Sequence, residues 1–247
     1  MRVAVAGGTG VAGSRAVEAL SRSGHDPVVV TRSAGVDLTQ GMGLDAALDG
    51  VEAVVDASNV VTLDRRRSSQ FFTTTTRHLL EAGARAGVRH HVVLSIVGID
   101  RVDFGYYEGK RRQEQLVRDA EVPFTILRAT QFHEFADQLL ARARGPVAFL
   151  PRMRVQPVAA ADVGNRLAEL AVGEPLGDAP ELAGPEVHEV VEMARQVASR
   201  RGRPRRVLGV PVPGTAGRAM ARGALLPTGE MTLATTTFAE WLSSADG

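Results

Sequence analysis

Three polar residues in the middle of the chain have the types and spacing of a proton-donating group. Tyr106 and Lys110 form the pattern Y-x-x-x-K at the start of a helix-compatible segment, and Ser95 ends an apolar run eleven residues earlier. Residues i and i+4 share a helix face, so the phenol and the ammonium can lie side by side. A neighbouring ammonium favours the phenolate and lowers the pKa of tyrosine from about 10. Such a tyrosine can protonate a carbonyl oxygen as hydride reaches the carbon, with Ser95 bonded to the same oxygen.

A glycine-rich turn lies near the start of the chain, directly after a short apolar run. Gly7, Gly10 and Gly13 are spaced three apart, and Gly8, Gly10 and Gly13 satisfy G-x-G-x-x-G. The first glycine permits a sharp turn off a strand, the middle one admits a pyrophosphate close to the backbone, and the last lets the following helix pack closely. The free N–H groups at that helix start favour phosphate. The order strand, glycine turn, helix and strand therefore predicts a dinucleotide site.

The end of the second apolar run indicates which dinucleotide is expected. NAD-binding units place an Asp or Glu there for the ribose 2′-hydroxyl, whereas this chain has Thr31, Arg32 and Ser33. A guanidinium binds a 2′-phosphate with parallel donors and a full charge, so NADP(H) is expected rather than NAD. Alternatively, Arg32 is only a solvated arginine at a strand end. Asp37 lies past the strand, where a contact to the adenine edge is expected.

The tyrosine and lysine also have a plainer interpretation. The pattern Y-x-x-x-K is common by chance. If it is accidental here, Tyr106 is a half-buried aromatic residue with its hydroxyl in water, and Lys110 is an ordinary surface lysine. Tyr107 is adjacent and is a second candidate to face the site. Position favours the chemical interpretation, because the pair follows what we count as the fifth strand of a dinucleotide-binding pattern.

Strand-like and helix-like segments alternate along the first half of the chain, which predicts right-handed βαβ units in a parallel sheet. The strands are expected at 3–6, 27–30, 53–57, 91–95 and 123–128, and the helices at 14–23, 66–87 and 108–119. The second half is looser, with helices expected at 132–144, 162–172, 185–201 and 215–222 and short strands at 146–150 and 155–158. We expect an α/β fold with a doubly wound parallel (Rossmann) sheet: an NADP-binding core over residues 1–128, and a smaller, interleaved substrate-covering region over residues 129–247.

Composition bounds the possible functions. The 247 residues, 44% of them hydrophobic, suit one α/β domain or one with a small appendage. A net charge of +1 and 4% aromatic residues give no general attraction to nucleic acid and few stacking platforms. The chain has no cysteine, which excludes disulfides and zinc–sulfur sites, and no metal site is expected. With no signal peptide and no apolar run of roughly 18 residues, we expect a cytoplasmic monomer or homodimer without nucleic-acid or membrane partners.

Several motifs distributed over nearly the whole chain carry a family resemblance. They are Gly7-Gly-Thr-Gly-Val-Ala-Gly13, Val30-Thr-Arg-Ser33, Leu94-Ser-Ile-Val-Gly98, Tyr106-Tyr-Glu-Gly-Lys110, Phe124-Thr-Ile-Leu-Arg-Ala-Thr-Gln-Phe132, Pro157-Val-Ala-Ala-Ala-Asp-Val163, Leu182-Ala-Gly-Pro-Glu186 and Gly223-Ala-Leu-Leu-Pro227. The chain resembles an atypical short-chain dehydrogenase/reductase of the NmrA-like, NAD(P)H-binding group. It is also similar to bacterial proteins often called nucleoside-diphosphate-sugar epimerases.

The resemblance implies a cofactor contact for each motif. The implied contacts are Gly7, Thr9, Gly10, Val11, Ala12 and Gly13 at the pyrophosphate, Arg32 and Ser33 at the 2′-phosphate, Asp37 and Leu38 at the adenine, Ala57, Ser58 and Asn59 at the end of a fourth strand near the adenosine ribose, Lys110 at the nicotinamide ribose, and Thr130 and Phe132 beside the nicotinamide.

Three functions are compatible with these residues. The first is an NADPH-dependent oxidoreductase that reduces a carbonyl or an enone of a small organic substrate, with Tyr106 as the acid, Lys110 tuning it and Ser95 orienting the substrate oxygen. The second is a non-catalytic NADP(H)-binding redox sensor of the NmrA type, which has no need of the pair formed by Tyr106 and Lys110. The third is an epimerase or lyase with tightly held cofactor.

Overall fold

A computed structural model describes residues 1–201 and 206–244. The strands are β1 Arg2–Ala6, β2 Asp26–Val30, β3 Ala53–Asp56, β4 His90–Ile96, β5 Phe124–Ala129, β6 Val147–Pro151, β7 Arg154–Val155, β8 Gly177–Asp178, β9 Glu181–Ala183, β10 His188–Glu189, β11 Arg206–Val210 and β12 Met231–Leu233. The helices are α1 Val11–Arg22, α2 Leu44–Ala47, α3 Arg65–Ala86, α4 Gly105–Arg118, α5 Glu134–Arg142, α6 Ala160–Val172, α7 Val190–Arg200, α8 Gly214–Ala221 and α9 Phe238–Ser244. Short 3₁₀ helices lie at Arg32–Ala34 and Ile99–Arg101.

The chain divides into two compact units, and neither is a single stretch of sequence. The first unit comprises Met1–Ile96, Phe104–Arg128 and Ala161–Pro180. The second comprises Val97–Asp103, Ala129–Ala160 and the described residues from Glu181 onward. All but two of the predicted site residues, Thr130 and Phe132, belong to the first unit.

A parallel sheet forms the centre of the first unit. Its strands follow the order β2, β1, β3, β4, β5, and β8 pairs with β5. Val5 of β1 lies opposite Val29 of β2 on one side and Val55 of β3 on the other, and both pairings are parallel. The chain therefore starts in the interior of the sheet and adds strands on both sides, which is the order of a doubly wound fold.

Both faces of this sheet are covered. Every residue of Val3–Ala6 and of Ala53–Asp56 is fully buried, which explains why β1 and β3 have no regular alternation of polar and apolar side chains. Ala4 and Ala6 of β1 belong to a core cluster with Leu79 of α3, while α1 packs against β1 and β2. The expected α/β fold with a doubly wound parallel sheet is confirmed.

The second unit is built from short strand pairs and helices. β6 pairs with β11 and β9 with β12, both in parallel, whereas β7 and β10 are antiparallel. Helix α7 packs against α5 and β11. In the parts of the chain that are described, no helix is both long and apolar enough to cross a membrane.

The observed elements differ from the expected ones at several points. The strand that precedes Ala57 is the third of the chain, not the fourth, and the strand of Ser95 is the fourth, not the fifth, because the stretch between β2 and β3 forms only a 3₁₀ turn and the four-residue α2. The strand expected at 155–158 shrinks to β7, and Val158 makes only an isolated bridge to Phe132. Helix α9 was not expected at all, although Thr237-Phe-Ala-Glu240 is a capping box: the Thr237 N–H donates to Glu240 Oε2 at 2.8 Å and the Glu240 N–H donates to Thr237 Oγ1 at 3.2 Å.

Candidate functional site

The glycine turn joins β1 to α1 in a conformation that its residues require. Gly7 has a φ of +74°, which residues with side chains rarely adopt, and a Cβ there would lie 2.6 Å from the carbonyl oxygen of Ala57. A Cβ on Gly13 would clash with the carbonyl oxygen of Gly7. The Gly10 N–H donates to that same oxygen at 2.8 Å and closes the turn. The turn therefore lies against the loop that follows β3.

The start of α1 is open at its first turn. Gly10 is the N-cap, no side chain within the described ranges caps it, and the first turn carries no acidic residue. Thr9, Gly10 and Val11 are exposed, whereas Ala12 and Gly13 are buried. First-turn N–H groups have no partner inside a helix, and the helix dipole places partial positive charge there. The arrangement fits a pyrophosphate held by backbone N–H groups.

Arg32 begins the 3₁₀ turn after β2 and is exposed. The hydroxyls of Thr31 and Ser33 lie 2.9 Å apart beside it. The Asp37 carboxylate is hydrogen-bonded within its own loop: its Oδ1 accepts from the Thr39 N–H at 2.8 Å and from the Thr39 hydroxyl at 2.6 Å. These bonds, and to a smaller extent the charge of Arg32, lower the pKa of Asp37. The surface here thus presents a cation and two hydroxyls.

The loop that carries Leu38 is tied to α3. His78 Nδ1 lies 2.8 Å from the carbonyl oxygen of Leu38, so this ring nitrogen is the donor. Asp37 and Met42 exchange backbone hydrogen bonds of 3.0 and 3.1 Å across the base of the loop. The side that the family resemblance assigns to the adenine is therefore a closed loop with defined backbone positions.

The loop after β3 is held by a buried carboxylate. Asp56 is fully buried, and its Oδ1 accepts the N–H of Ser58 at 3.0 Å. The Ser58 hydroxyl is buried and has no hydrogen-bond partner among the described residues. Ala57 contacts Gly7 of the glycine turn, and Ser58 and Asn59 are the next two residues of the chain. A buried hydroxyl without a partner at this position fits a ligand contact.

Tyr106 directs its hydroxyl to that same loop. It lies in the first turn of α4, and its hydroxyl donates to Asn59 Oδ1 at 2.7 Å. Ser68 of α3 donates to the Tyr106 carbonyl at 2.8 Å and fixes the start of the helix. The Tyr106 ring packs edge-on against Phe72 at 5.8 Å between centroids. Tyr106 is therefore held at its hydroxyl by Asn59 and at its backbone carbonyl by Ser68.

Tyr107 has a different environment. It is only 7% exposed, and its ring packs against Phe104 at 5.4 Å between centroids. Burial raises the pKa of its hydroxyl. Of the two adjacent tyrosines, Tyr106 is the one with a hydrogen bond to the loop after β3.

Lys110 does not lower the pKa of Tyr106 in this structure, so that expectation is wrong. Burial raises the pKa of Tyr106, and the neighbouring Tyr107 raises it further. Both groups contact the Phe72 ring, Tyr106 edge-on and the Lys110 Nζ at 4.4 Å from its centroid. A phenol with a raised pKa keeps its proton at neutral pH, so it can donate that proton but is a weak base.

Lys110 is buried and bonded inward, so the interpretation as a surface lysine is wrong. Only 4% of the residue is exposed. Its Nζ donates to the carbonyl oxygen of Leu94 at 2.9 Å and to Gln113 Oε1 at 2.8 Å. Burial lowers its pKa to about 8, while the charges of Asp56 and Glu114 oppose that shift. The bond to Leu94 holds the strand end that carries the next residue, Ser95.

Ser95 is 2% exposed, and its Oγ has no hydrogen-bond partner within the described parts of the chain. An unpaired hydroxyl in the protein interior costs free energy. Both Ser58 and Ser95, at the ends of neighbouring strands β3 and β4, therefore have hydroxyls whose bonding capacity is unused.

Gln113 and Asp56 complete a polar network that sequence reasoning missed. Gln113 Nε2 donates to Asp56 Oδ2 at 2.8 Å and to Thr76 Oγ1 at 3.2 Å, and all three residues are fully buried. Two features of the sequence could have indicated it. Asp56 is a charged residue at the end of an otherwise apolar strand, which requires a partner. Lys110 is the only lysine among the 29 lysines and arginines of the chain.

Thr130 and Phe132 lie in the second unit. The Thr130 N–H donates to Leu182 O at 2.9 Å, and its hydroxyl donates to Gln156 O at 2.6 Å. Phe132 is half-buried and forms a parallel bridge with Val158. The Thr130 hydroxyl is therefore committed to a bond inside its own unit.

Comparison with known proteins agrees with a dinucleotide site. A family model described as NAD(P)H-binding matches residues 7–171. A protein of Streptomyces griseus subsp. griseus, named (4-alkanoyl-5-oxo-2,5-dihydrofuran-3-yl)methyl phosphate reductase, is 30% identical over 231 residues, which cover 87% of this chain and 79% of that protein.

Solved structures show the same fold at lower identity. The NADPH-dependent quinone oxidoreductase of Escherichia coli, solved with NADPH, aligns with a TM-score of 0.70 at 20% identity over 99% of this chain and 100% of that chain. The triphenylmethane reductase of a Citrobacter species, solved with NADP(H), aligns with a TM-score of 0.70 at 18% identity over 93% of each chain.

Proposed function

We propose that this chain, which belongs to the NAD(P)H-binding family, is an NADPH-dependent reductase of short-chain type that reduces a carbonyl or an enone of a small organic substrate. The observation that carries the proposal is the hydrogen bond from the Tyr106 hydroxyl to Asn59 at 2.7 Å. It joins a proton donor to the loop that abuts the glycine turn at Gly7. A proton donor and a dinucleotide site on adjoining loops are what a carbonyl reduction needs.

Tyr106 is the proposed proton donor. A reduced nicotinamide supplies a hydride when it is bound. The Tyr106 O–H gives its proton to the carbonyl oxygen of the substrate, whether that substrate is a simple carbonyl compound or an enone. Tyr106 then regains a proton from solvent, because the residue is only partly buried. Its raised pKa keeps the proton on the phenol at neutral pH, which is the protonation state that the reductive direction needs. Ser95, with its unused hydroxyl, would donate a second hydrogen bond to the same oxygen.

Lys110 would hold the nicotinamide ribose. An ammonium has three N–H donors, and Leu94 and Gln113 accept two of them. The third is sufficient for a ribose hydroxyl. The two protein bonds fix the position of the ammonium, and such preorganisation lowers the entropy lost on binding.

The preference for NADPH over NADH rests on Arg32. It is exposed beside the hydroxyls of Thr31 and Ser33, and this surface fits the 2′-phosphate of NADP(H). The carboxylate of Asp37, which lies past the strand end, accepts two bonds from Thr39. The remaining cofactor contacts would come from the glycine turn, Leu38 and the residues Ala57, Ser58 and Asn59.

The substrate class is proposed from the relative with 30% identity. Its name describes the reduction of an unsaturated furanone that carries a methyl phosphate group. A carbon–carbon double bond conjugated to a carbonyl is therefore the first candidate substrate for this chain. Simple ketones and quinones form the second group, since the fold is shared with a quinone oxidoreductase.

The Tyr106→Phe variant tests the proposed acid. Removal of the phenolic hydroxyl should lower kcat by roughly 10²–10⁴-fold, the usual contribution of a general acid. The dissociation constant for NADPH should change less than threefold, because no cofactor contact is proposed for this hydroxyl. Steady-state oxidation of NADPH at 340 nm and a fluorescence titration measure the two quantities.

Tyr107→Phe is the matched control for that experiment. It removes the same chemical group from the next residue, whose buried hydroxyl is not proposed to contact the substrate, and kcat should stay within threefold of the unmodified protein. Equal losses in both variants, or normal turnover by Tyr106→Phe, would remove Tyr106 from the mechanism.

A sensor without catalysis is a second candidate, and one observation favours it. The Tyr106 hydroxyl and the Lys110 ammonium are both bonded to protein groups, as they would be in a site that only binds. A sensor predicts tight NADPH binding with no oxidation across a panel of enones, ketones and quinones. A reductase predicts oxidation with at least one member of that panel.

A further inference from the structure

A buried cation and a buried anion are joined through a single amide in the first unit. The Lys110 ammonium donates to Gln113 Oε1 at 2.8 Å, and Gln113 Nε2 donates to Asp56 Oδ2 at 2.8 Å. Asp56 Oδ1 then accepts the Ser58 N–H at 3.0 Å. These bonds form a path of four residues, Lys110, Gln113, Asp56 and Ser58, that runs from α4 to the loop after β3. All four residues are buried. The proposed chemistry uses Lys110 and Ser58 but gives no role to Gln113 or Asp56.

Charges around this path leave Asp56 as the counterion of Lys110. Glu114, on the same helix as Lys110, is paired with Arg128 at 2.6 Å and with Arg118 at 3.2 Å. Within the described residues, Asp56 has no direct ion pair, and a buried carboxylate needs one.

Within residues 1–201 and 206–244, the other elements that pack against the path add no competing cation. Strand β4 contributes His91, which is fully enclosed, and burial lowers its pKa, so it is neutral near pH 8. Helix α3 contributes Phe72 under the ammonium and Thr76 beside the amide, and neither titrates. The tyrosines of α4, Tyr106 and Tyr107, are neutral because burial raises the pKa of each.

We propose that Gln113 and Asp56 are positioning residues for Lys110: the Asp56 carboxylate, acting through the Gln113 amide, keeps the lysine protonated and aimed toward the nicotinamide ribose. This inference deepens the proposed function and rests on it for the ligand of Lys110. The charge of a buried lysine depends on its surroundings, so Lys110 needs such a counterion to stay protonated, whereas an arginine stays charged everywhere. Of the 29 lysines and arginines in the chain, the other 28 are arginines, so Lys110 is the exception.

The direction of each hydrogen bond makes the path testable by exchanging groups. Asp56 can only accept, so Gln113 must turn its NH₂ toward Asp56 and its oxygen toward Lys110. Asp56→Asn removes the charge, and its single oxygen can accept from the Gln113 NH₂ or from the Ser58 N–H, so its own NH₂ group faces the other donor. The double variant Asp56→Asn/Gln113→Glu restores a donor facing an acceptor at every step, and it moves the carboxylate next to the ammonium. Gln113→Met keeps the length of the side chain and removes both bonds.

The single lysine makes the ammonium directly observable. Protein labelled with lysine carrying ¹³C at Cε gives one lysine resonance, which needs no assignment, and its chemical shift follows the proton on Nζ. Titration from pH 6 to 10.5 without cofactor then gives the midpoint for Lys110. Dissociation constants for NADPH across the same pH range give a second measurement that does not depend on turnover.

We expect the midpoints to follow one order. Asp56→Asn and Gln113→Met should titrate about one pH unit below the unmodified protein, and Asp56→Asn/Gln113→Glu about one unit above it. The pH at which NADPH binding weakens should move in the same order. Thr75→Val is the control: Thr75 is buried in α3 next to Thr76 and donates to Phe71 O, so its loss should lower the melting temperature without moving the midpoint.

A network that is only structural would give a different result. Melting temperatures would fall in all variants while the lysine midpoint stayed within 0.2 pH units of the unmodified protein, and this outcome would overturn the proposal. If Asp56→Asn fails to fold, Gln113→Met and the double variant still give the two opposite shifts. Failure of the unmodified protein to bind NADPH would reject the proposed function, whereas normal binding with unmoved midpoints would reject only this inference.

Discussion

The two ends of the candidate site are built in opposite ways. The phosphate end consists of Gly7, Gly10, Gly13 and Arg32, and the lysine end consists of Asp56, Ser95, Tyr106, Lys110 and Gln113. At the phosphate end the binding groups are backbone N–H donors and one exposed guanidinium. At the lysine end they are side chains that are buried or already hydrogen-bonded to other side chains. The phosphate end is open and local in sequence. The lysine end is enclosed, and its residues come from two strands, β3 and β4, and one helix, α4.

This difference assigns a different task to each end. An exposed charge and a helix start bind a charged group without reorganisation, so they suit recognition of a cofactor by its phosphates. Buried polar groups of low mobility suit chemistry, because interactions inside a dry site are stronger and need no rearrangement during the reaction. Changes at the phosphate end should therefore alter binding, and changes at the lysine end should alter rate and pH dependence.

The largest effect on binding is expected at Gly13. In Gly13→Ala the new Cβ clashes with the carbonyl oxygen of Gly7, so the turn must open. Overpacking of this kind costs about 1–3 kcal/mol, and we expect NADPH affinity to fall by about 100-fold, since each 1.4 kcal/mol is tenfold. Isothermal titration with NADPH measures the loss.

Gly83→Ala is the control for that substitution. A Cβ at Gly83 of α3 would meet Val88 at an ordinary distance of 3.5 Å, so affinity should be unchanged. Normal NADPH binding by Gly13→Ala would show that the turn does not approach the cofactor.

A smaller and more selective effect is expected at Arg32. Arg32→Ala removes charge-assisted hydrogen bonds, each worth about 1.5–3 kcal/mol, so the dissociation constant for NADPH should rise about 30-fold while that for NADH changes less than twofold. Arg85→Ala, which removes an exposed arginine paired with Asp45, should change neither constant. Equal losses for both cofactors would contradict a contact with the 2′-phosphate.

The last effect concerns stability rather than binding and comes from the lysine end. Burial lowers the pKa of Lys110 from 10.5 to about 8. Between these values the unfolded chain binds more protons than the folded one, so this group makes the folded state more stable as pH rises. Relative to Lys110→Met, the unmodified protein should gain up to about 1.4 kcal/mol per pH unit between pH 8 and 10. Urea unfolding at four pH values measures this difference.

The window ends at pH 10 because Lys110 in the unfolded chain loses its own proton near 10.5, and because the tyrosines, which both proteins contain, then lower the stability of each. Burial raises the pKa of Tyr106 and of Tyr107 in the folded state, so their contribution to stability is lost as pH rises above their usual value near 10. A difference between the two proteins that is flat from pH 8 to 10 would mean that Lys110 titrates at its ordinary pKa.

The phosphate end could be predicted from the sequence because its geometry is local. Gly7, Gly10 and Gly13 act through their own backbone, and the apolar run before them and the helix after them are contiguous. Arg32 needs only to follow β2. The doubly wound sheet could also be predicted, since buried parallel strands appear as short apolar runs between amphipathic helices.

The lysine end could be predicted only in part, because its contacts connect distant residues. The spacing of Tyr106 and Lys110 predicted a shared helix face, but burial raises the pKa of Tyr106, and the Phe72 ring that contacts both residues comes from α3. Gln113 reaches Asp56 across 57 positions in sequence. No local pattern specifies such a pair, although a lone lysine and a charged residue in an apolar strand indicate where to look.

The most direct test is a single turnover of the unmodified protein. Protein loaded with one equivalent of NADPH is mixed in a stopped-flow instrument with an α,β-unsaturated lactone or ketone, with and without a phosphate group, and absorbance at 340 nm is followed. The proposed reductase predicts an exponential loss of one NADPH per chain with at least one substrate, slowed by roughly 10²–10⁴-fold in Tyr106→Phe. Bound NADPH that remains unoxidised with every substrate in the panel of enones, ketones and quinones would contradict it and identify the protein as a binder of the cofactor.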